Sequence, residues 1–455
     1  MVRRHLLALA LLALPAVACA SGRRNVVLFI GDGMGFRAVE LASLWATGRP
    51  DAAPFADWPL RMAMSTPPAG APAYDPASSW QDFDAVRHKV TDSAAAATAL
   101  ASGVKTSNGV LGLDPAGARL ELLPEWLDRR GVVSGVVTSV QFAHATPAGF
   151  AAHVEKRSQY EEIARQMLLD SPLRVIAGCG HPGYGPSGEA LETPRTFKYV
   201  GGEALWAGLL AGDTAFDLDG DGAADRWLPD LDGDGVPDPW RFPQTTPEIA
   251  TAIAHETNAR LLIVPRVADT LQEERAGQRH TDPGAVPLTP DLPTLAGMAI
   301  AALEVLEPHD GGFFLMVEGG AIDWAAHEND AGRLVEEQLA FEQAVRAVEL
   351  WLDRRGVTEE TLLIVTADHE TGYLSAPGES AEERWRPLES RGAGALPPLR
   401  WNSDDHQRSL VPFFATGPGA ETLREKARGV DPRRGPYLDN TDLAPALRAL
   451  WASPR

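Results

Sequence analysis

Short apolar runs, each ended by a turn, constrain the fold of this chain more than any other feature. They cover residues 24–30, 131–138, 312–317, 361–367 and 409–417. Runs without polar alternation are typical of strands buried on both faces of a parallel sheet. Helical patterns at residues 121–130, 293–306 and 336–355 lie between them. We therefore predict an α/β fold with a mostly parallel sheet, and a loop over the Pro- and Ala-rich residues 50–80.

Metal-capable side chains follow four of these predicted strands. Asp32 lies in the glycine-rich turn after the first strand, and Asp368 directly follows the fourth. Thr146 comes soon after the second strand, and Glu318 falls at the end of the third. Ligands of open α/β sheets bind outside the carboxyl ends of the strands, so we expect these side chains to meet there. Any one of them alone is more often structural, but four at strand ends are hard to explain by packing.

Histidines extend this set of candidate ligands. Asp323 and His327 are four residues apart on a predicted helix, so both side chains point to one side. An aspartate and a histidine one turn apart form half of a typical Zn²⁺ site. His369 directly follows Asp368, and His406 precedes the last apolar run. The pattern predicts a site for divalent metal ions at the edge of the sheet.

The stretch 90–100 places Ser93 directly before a run of alanines. Asp, Ser and Thr are favoured helix caps and alanine is the best helix former, so we predict a helix of about ten residues. It should begin at Ser93 and end near Gly103. Free N–H groups and a partial positive charge at a helix N-terminus suit a phosphate. An ordinary capped helix with an unreactive serine is the alternative, and the metal ligands elsewhere in the chain favour a functional serine.

The charge balance excludes some partners. A formal net charge of -21 argues against nucleic acid and anionic membranes as binding partners. It also repels anionic substrates, so a phosphate substrate would need bound cations that reverse the local field.

Residues 1–20 are predicted to be an export signal. A basic start is followed by an apolar run over residues 6–17, which is too short to span a bilayer. Small residues offer cleavage sites, and residues 16–19 also resemble a bacterial lipoprotein signal with Cys19 as the lipidated residue. Cleavage and lipidation both stay open. We expect a periplasmic or extracellular protein that touches a membrane only through a lipid anchor at Cys19. The one other cysteine, Cys179, rules out a disulfide framework.

Residues 180–245 interrupt the strand–helix pattern and contain one aspartate-rich motif twice. The motif D-x-D-G-D-G-x-x-D starts at Asp217 and again at Asp230. Alternating oxygen ligands with glycine at the sharp bend suit Ca²⁺, whereas a solvated acidic loop is the alternative. The loops lack the glutamate that ends an EF-hand loop and resemble those of thrombospondin type 3 repeats. We predict a calcium-loop insertion with a structural role, with the ligands Asp217, Asp219, Asp221, Asp225, Asp230, Asp232, Asp234 and Asp238.

Three segments together resemble the alkaline phosphatase family. They are V-T-D-S-A-A-A-A-T-A at residues 90–99, E-G-G-x-I-D-x-x-x-H at 318–327 and T-A-D-H-E-T-G at 366–372. The resemblance runs from about Asn25 to the C-terminus, apart from the insertion. It implies a three-layer α/β/α sandwich around a large, mostly parallel sheet, with residues 21–455 as one catalytic domain.

The same resemblance implies residue roles and a reaction. Ser93 would attack phosphate monoesters to give a phosphoserine intermediate, from which inorganic phosphate is released, and Arg157 would bind the phosphate oxygens. Two Zn²⁺ and one Mg²⁺ are implied. The first zinc site is Asp32, Asp368 and His369, the second is Asp323, His327 and His406, and the magnesium site is Thr146, Glu318 and the bridging Asp32.

Two positions depart from the best-known pattern. His144 and Trp324 stand where the enterobacterial type has Asp and Lys near the third metal. Imidazole favours Zn²⁺ or Co²⁺ over Mg²⁺, so the identity of the third metal stays open, with His144 as a further ligand. Gln407 and Arg408 follow His406, where many family members have Thr-Gly.

Three other functions compete with a phosphomonoesterase. A phosphodiesterase of the same superfamily often uses threonine as nucleophile, and Ser93 argues against it. A metal-dependent phosphomutase keeps the metal ligands, but the export signal argues against it. A calcium-dependent binding protein with an inactive site conflicts with the complete ligand set. The sequence leaves open the physiological ester and the oligomeric state, a homodimer included.

Overall fold

The computed structural model describes residues 23–254 and 260–452, so the predicted export signal and Cys19 lie outside the described residues. The strands follow one another along the whole described chain. Their bounds are β1 Asn25–Gly31, β2 Leu60–Ser65, β3 Val133–Gln141, β4 Leu173–Cys179, β5 Ala215–Phe216, β6 Arg226–Trp227, β7 Trp240–Arg241, β8 Arg260–Ile263, β9 Phe313–Gly319, β10 Thr361–Ala367, β11 Glu370–Thr371, β12 His406–Gln407, β13 Val411–Thr416, β14 Gly429–Asp431 and β15 Gly435–Asp439.

One large sheet organises the described residues. Its order is β14-β15-β2-β13-β10-β1-β9-β3-β4-β8-β7, with two small ribbons, β11–β12 and β5–β6, outside it. All neighbours from β10 to β7 are parallel. β13 runs antiparallel to both β10 and β2, and β14 runs antiparallel to β15. The predicted α/β fold with a mostly parallel sheet is therefore confirmed.

The strands in the middle of the sheet are buried along their whole length. Every residue of β1, β9 and β10 is buried. Their sequences are almost continuous runs of Val, Leu, Ile and Phe, because both faces of a central parallel strand are covered by helices. This explains why these three strands were the easiest to predict.

Helices form the outer layers of the sandwich. Their bounds are α1 Phe36–Thr47, α2 Pro76–Gln81, α3 Ser93–Ser102, α4 Leu123–Asp128, α5 Ala145–Ala148, α6 Tyr160–Arg165, α7 Glu203–Ala211, α8 Thr246–Ile253, α9 Leu295–Leu306, α10 Ala321–His327, α11 Ala331–Arg355, α12 Ala381–Arg384, α13 Ala420–Arg424 and α14 Leu443–Ala452. One group consists of α1, α9, α10 and α11, which pack through α11. A second group consists of α4, α5 and α14, which pack around α3.

The helix α3 is buried over its full length and rests on α14. It ends at Gly103, whose φ of 83° is the left-handed conformation that favours glycine. A Cβ at Gly103 would approach Pro445 Cδ of α14 to 2.8 Å. The absence of a side chain at this position therefore permits the close contact between the two helices.

The prediction of a loop over residues 50–80 is wrong. Leu60–Ser65 forms β2, an interior strand of the sheet that pairs with both β13 and β15. Pro76 begins α2, where proline is favoured because the first turn of a helix needs no N–H donor. Proline in this segment therefore marks the ends of elements and does not exclude them.

The region 180–245 joins the edge of the sheet. It contains α7 and the ribbon β5–β6, and it ends in β7, which pairs in parallel with β8. No helix within the described ranges 23–254 and 260–452 is long and apolar enough to cross a membrane.

Candidate metal centre and nucleophile

The sheet register brings three of the predicted ligands to one edge. β1 lies between β10 and β9, and Gly31 pairs with both Ala367 and Gly319. Asp32 and Asp368 therefore leave neighbouring strands at the same level. Glu318, paired with Ile30, lies two residues before the level of Asp32, on the strand at the other side of β1. This is the carboxyl edge at which the sequence predicted a ligand site.

The first group of ligands consists of Asp32, Asp368 and His369, all fully buried. One ligand atom from each lies within 4.8 Å of the others. The Nε2 atom of His369 is 3.5 Å from Asp32 Oδ1 and 3.2 Å from Asp368 Oδ2. It is also 3.3 Å from the Oγ atom of Ser93. Three oxygens thus surround a single imidazole nitrogen.

The second group consists of Asp323, His327 and His406. α10 presents the first two on one side, and β12 supplies the third. The two Nε2 atoms of the histidines are 3.0 Å apart, and His327 Nε2 is 3.4 Å from Asp323 Oδ2. The rings of His369 and His406 stack with 3.6 Å between their centres, so the two groups adjoin.

Hydrogen bonds at the other ring nitrogen fix the tautomers of these histidines. The Nδ1 atoms of His327 and His406 face the carbonyl oxygens of Asp404 and Thr91, at 2.6 and 2.8 Å. Carbonyls only accept, so both Nδ1 atoms carry the proton and both Nε2 atoms present lone pairs to each other. Two facing lone pairs at 3.0 Å need a cation between them. Burial lowers the pKa of His327, but Asp323 raises it to about 9, so a proton takes this place when no metal is bound.

Thr371, which the sequence reasoning missed, orients the first group in the same way. Its hydroxyl donates its single proton to Asp323 Oδ1 at 2.5 Å and therefore accepts from Nδ1 of His369 at 3.2 Å. His369 Nε2 thus also presents a lone pair, and burial holds the pKa of this imidazole well below its usual value. A bare nitrogen that faces two carboxylates fits a cation, with Thr371 as the fixing partner.

Unsatisfied buried oxygens mark the same region. Five buried side-chain oxygens here make no hydrogen bond within the described part of the chain. They are both carboxylate oxygens of Asp32, one carboxylate oxygen each of Asp368 and Glu318, and the hydroxyl oxygen of Thr146. Burial raises the pKa of Asp32 well above its usual value, and Asp368 adds to the shift by repulsion. Burial also raises the pKa of Glu318 to about 7. Such groups are costly unless cations compensate them, so the donor set fits metal ions.

The third predicted site adjoins the first. Burial raises the pKa of Glu318, while the hydroxyl of Thr138 donates a hydrogen bond to it and lowers it. His144 caps α5, which carries Thr146, and its Nδ1 atom has no hydrogen-bond partner among the described residues. Trp324 meets the His144 ring edge-on, with 5.8 Å between ring centres. Burial lowers the pKa of His144 to about 3, which leaves a neutral imidazole that is able to bind metal.

Ser93 is the first residue of α3, and the helix ends before Gly103, as predicted. The preceding residue, Asp92, caps the helix and accepts from the amide of Ala95 at 2.9 Å. Ser93 is 1% exposed, and its Oγ atom faces the first ligand group through His369. The serine therefore lies at a helix N-terminus and beside the metal ligands at once.

Arg157 is held next to this helix by Asp92, a second residue that the sequence reasoning missed. Nη1 of Arg157 is 3.2 Å from Asp92 Oδ2, and the amide of Gly109 donates to the same oxygen at 3.0 Å. The backbone N–H of Arg157 donates to the carbonyl of Gly109 at 2.7 Å. Nothing in the sequence indicated this role for Asp92, because its pairing with a residue 65 positions away is a tertiary contact.

The two aspartate-rich loops have matching conformations. Asp217 accepts from the amides of Gly220 and Gly222 at 2.7 and 2.8 Å, and Asp230 accepts from the two corresponding glycines at the same distances. Oxygens of Asp217, Asp219 and Asp225 lie within 4.8 Å of one another, as do those of Asp230, Asp232 and Asp234. Asp221 and Asp238 lie outside these two groups, and Asp238 pairs with Arg174 at 3.3 Å.

Comparisons with known proteins agree with this geometry. The family model described as alkaline phosphatase matches residues 23–173 and 211–395. Alkaline phosphatase 4 of Bacillus subtilis is 28% identical over 372 residues, which are 80% of this chain and 64% of that protein. The repressible alkaline phosphatase of Saccharomyces cerevisiae is 29% identical over 383 residues, which are 81% of this chain and 59% of that protein. This chain thus spans less than two thirds of the length of both relatives.

A solved structure has the same fold. The alkaline phosphatase of the Antarctic bacterium TAB5 superposes with a TM-score of 0.64, at 21% identity, over 95% of this chain and 99% of that one. The family match covers most of the chain and both ligand groups except His406, which comes later in the sequence. The chain therefore belongs to the alkaline phosphatase family.

Proposed function

We propose that this chain is a metal-dependent phosphomonoesterase that uses Ser93 as its nucleophile. One observation carries the proposal: the bare Nε2 atom of His369 faces two carboxylates and the Ser93 hydroxyl, within 3.5 Å of each. A serine hydroxyl is a poor nucleophile at its ordinary pKa, and it needs an adjacent activating group. The buried ligand atoms beside Ser93 would hold a metal ion that acts as this activating group.

Two zinc ions would occupy the two ligand groups. Asp32, Asp368 and His369 would hold the ion next to Ser93, and the second group the other. When bound, the two ions supply positive charge at the attacking and leaving oxygens of an in-line displacement. Side chains of the protein would supply the nucleophile and bind the phosphate oxygens.

Ser93 and Arg157 act on the phosphate itself. The Ser93 Oγ–P bond forms as the P–O bond of the ester breaks, and the leaving alcohol departs with a proton. Arg157 donates hydrogen bonds to the equatorial oxygens, where charge spreads in the transition state. Asp92 holds the guanidinium in position, and the free N–H groups at the start of α3 add to the same field. Water then attacks phosphorus, the Oγ–P bond breaks, and inorganic phosphate leaves while Ser93 regains its proton.

The third site would hold Mg²⁺ or a softer ion. We propose Thr146, Glu318 and Asp32 as its ligands, with His144 as an additional one. In the TAB5 enzyme, variants with a histidine replaced by aspartate or glutamate have Mg bound in a site called M3. By analogy we propose that the native His144 favours Zn²⁺ or Co²⁺ and that His144→Asp would favour Mg²⁺.

The aspartate-rich loops would each hold a structural Ca²⁺. Six carboxylates in two close groups, five of them exposed and none with a cationic partner inside its group, suit a hard cation with oxygen ligands. Through Asp238 and Arg174 the second loop is tied to the start of β4, so we propose that calcium steadies the edge of the sheet.

We also propose that the protein is exported and acts on phosphate monoesters outside the cytoplasm, with no nucleic-acid partner. Cleavage of residues 1–20 and lipidation of Cys19 remain the two routes by which the chain would reach its site of action. Mass spectrometry of the mature N-terminus from the native host distinguishes them, because a diacylated cysteine adds the mass of its lipid. A homodimer remains a prediction that sedimentation tests.

Ser93→Ala tests the nucleophile. We expect the variant to lose at least about a thousandfold in kcat/KM for p-nitrophenyl phosphate, because no other hydroxyl replaces the phosphorylated one. Its zinc content, measured by mass spectrometry of the metals, should equal that of the unchanged protein. Full activity in Ser93→Ala would refute the assignment.

The control is Ser102→Ala, which removes a buried hydroxyl at the opposite end of the same helix and should keep full activity. Bis(p-nitrophenyl) phosphate serves as the diester, and faster turnover of the diester than of the monoester would favour a phosphodiesterase. Absence of turnover on both esters would favour a binding protein or a phosphomutase. Release of inorganic phosphate from the monoester separates the proposed function from a mutase.

A further inference from the structure

A cluster of two tyrosines and a lysine lies next to His144, a ligand proposed for the third metal site. The Nζ atom of Lys198 is 5.1 Å from the ring centre of Tyr160 and 4.6 Å from that of Tyr199. The two tyrosine rings are 4.8 Å apart. Lys198 and Tyr199 belong to residues 174–210, which the family match leaves uncovered.

Tyr160 connects this cluster with the phosphate end of the site. Its ring stacks on His144 with 6.3 Å between ring centres and 11° between ring planes. It lies three residues after Arg157, and it feels the charges of both Arg157 and Lys198. The Tyr160 phenol is thus close to both the guanidinium proposed to bind phosphate and the ammonium of Lys198.

The ammonium of Lys198 is available to an anion. The side chain is exposed, and it forms no ion pair with any carboxylate in the described ranges. Contacts with tyrosine faces orient a cation but leave its charge uncompensated. The protein has a net charge of -21, so its surface as a whole repels anions. An unpaired cation beside the proposed site would attract them locally.

We propose that Lys198, oriented by Tyr160 and Tyr199, is a specificity residue that binds a second anionic group on the substrate. The preferred substrates are then phosphate monoesters that carry a further carboxylate or phosphate group. This inference rests on the proposed phosphomonoesterase function, because Arg157 and Ser93 would engage the first phosphate.

A matched pair of substrates tests it by turnover. 4-Carboxyphenyl phosphate carries the second anion, and the phosphate of methyl 4-hydroxybenzoate is its neutral counterpart. We expect Lys198→Gln to lower kcat/KM for the carboxylate about two- to fivefold and to leave the neutral ester unchanged, as for an exposed ion pair. Lys198→Arg should keep the preference, and added salt should shrink it in the native protein. Lys426→Gln, on an exposed lysine of another face, is the control.

A second measurement does not depend on turnover. Calorimetry compares 4-carboxybenzylphosphonate, which is not hydrolysed, with benzylphosphonate on the metal-loaded protein. Lys198→Gln should weaken binding of the carboxylate-bearing phosphonate by the same two- to fivefold and leave benzylphosphonate unchanged. An unchanged affinity ratio between the two phosphonates would overturn the inference, even if turnover fails. Native protein without turnover but with the expected ratio would instead overturn the proposed function alone.

Discussion

At the scale of single residues, partners that no sequence pattern marks fix the tautomers of the histidines in the proposed metal site. Aspartates and histidines after apolar runs predict such a site from the sequence alone. The partners that fix the imidazoles are a threonine hydroxyl and the carbonyls of Asp404 and Thr91. Carbonyls have no signal in the sequence because every residue has one. Only the folded backbone decides which of them meets a histidine.

Asp92 has two roles, because it caps α3 and also holds Arg157 in place. Replacing it tests whether it does more than an ordinary helix cap. Asp92→Ala should lower the free energy of unfolding by about 1–2 kcal/mol, because α3 loses its N-cap. It should also lower kcat/KM about tenfold or more, because Arg157 loses its orienting partner. Denaturant unfolding and turnover of p-nitrophenyl phosphate measure the two effects.

Asp75→Ala is the matched control, since Asp75 caps α2 through two amides and touches none of the proposed site. We expect it to cost at most about 1 kcal/mol with kcat/KM unchanged. If Asp92→Ala behaved like this control in turnover, Asp92 would be a cap alone.

At the scale of elements, the turn between β1 and α1 needs glycine at one position. Gly33 has a φ of +70°, and a Cβ there would lie 2.8 Å from Cα and Oδ1 of Asp323 and from Oγ1 of Thr371. We expect Gly33→Ala to lower zinc affinity and kcat/KM at least about tenfold, because both ligand groups would be pushed apart. Metal titration and turnover are the measurements.

Gly70→Ala is the control for Gly33→Ala. It adds the strain of a side chain on a left-handed backbone without the steric clash expected at Gly33. Gly70 has a φ of +76°, close to that of Gly33, but a Cβ there meets nothing within 4 Å. It should cost only about 1 kcal/mol in stability and leave zinc binding intact. Equal zinc affinity in both variants would show that the turn tolerates a side chain.

The helix α11 carries a buried carboxyl that makes stability depend on pH. Burial raises the pKa of Glu342 from 4.5 to about 7, although Gln338 donates to it at 3.0 Å. The folded state holds the proton more tightly than the unfolded chain, so this stabilisation is complete below about pH 4.5 and is lost as pH rises through about 7. Glu342→Gln should therefore match the native protein at pH 5 and exceed its free energy of unfolding by about 2–3 kcal/mol at pH 9.

Chemical unfolding at the two pH values measures this difference, with Glu359→Gln as an exposed control. A gain for Glu342→Gln that is the same at pH 5 and pH 9 would contradict a raised pKa.

Elements with continuous apolar runs were predicted, and elements with mixed composition were not. The sequence L-R-M-A-M-S of β2 carries a charge and lies among prolines, yet the strand is interior. Its place depends on pairing with β13 and β15, more than 340 residues away in sequence. Local composition holds no information about such partners.

At the scale of the whole molecule, the proposed metal ions would link segments that are far apart in the sequence and so stabilise the fold. The ligands come from the ends of β1, β9 and β10, from α10 and from β12. A zinc-selective chelator such as dipicolinate should abolish turnover and lower the unfolding temperature by at least about 5 °C, because buried carboxylates then repel one another without compensation. Zinc added back should restore both, and a chelator without effect on either would contradict the proposed metal dependence.

Calcium is tested separately with EGTA in a buffer that holds the free zinc concentration constant, which should lower the unfolding temperature and spare turnover. The double variant Asp217→Asn and Asp230→Asn should lose this sensitivity to EGTA. Equal unfolding temperatures with excess calcium and with EGTA would contradict structural calcium.

The contact between α3 and α14 has a consequence for the timing of activity. Ser93 begins α3, and the far end of this helix packs closely against Pro445 of α14. The two helices are more than 300 residues apart in the sequence. A nascent chain that ends before α14 would therefore carry all of the proposed metal ligands, yet would lack the helix that packs against the one with Ser93. The proposed site would therefore be complete only after α14 has been synthesised and has packed against α3.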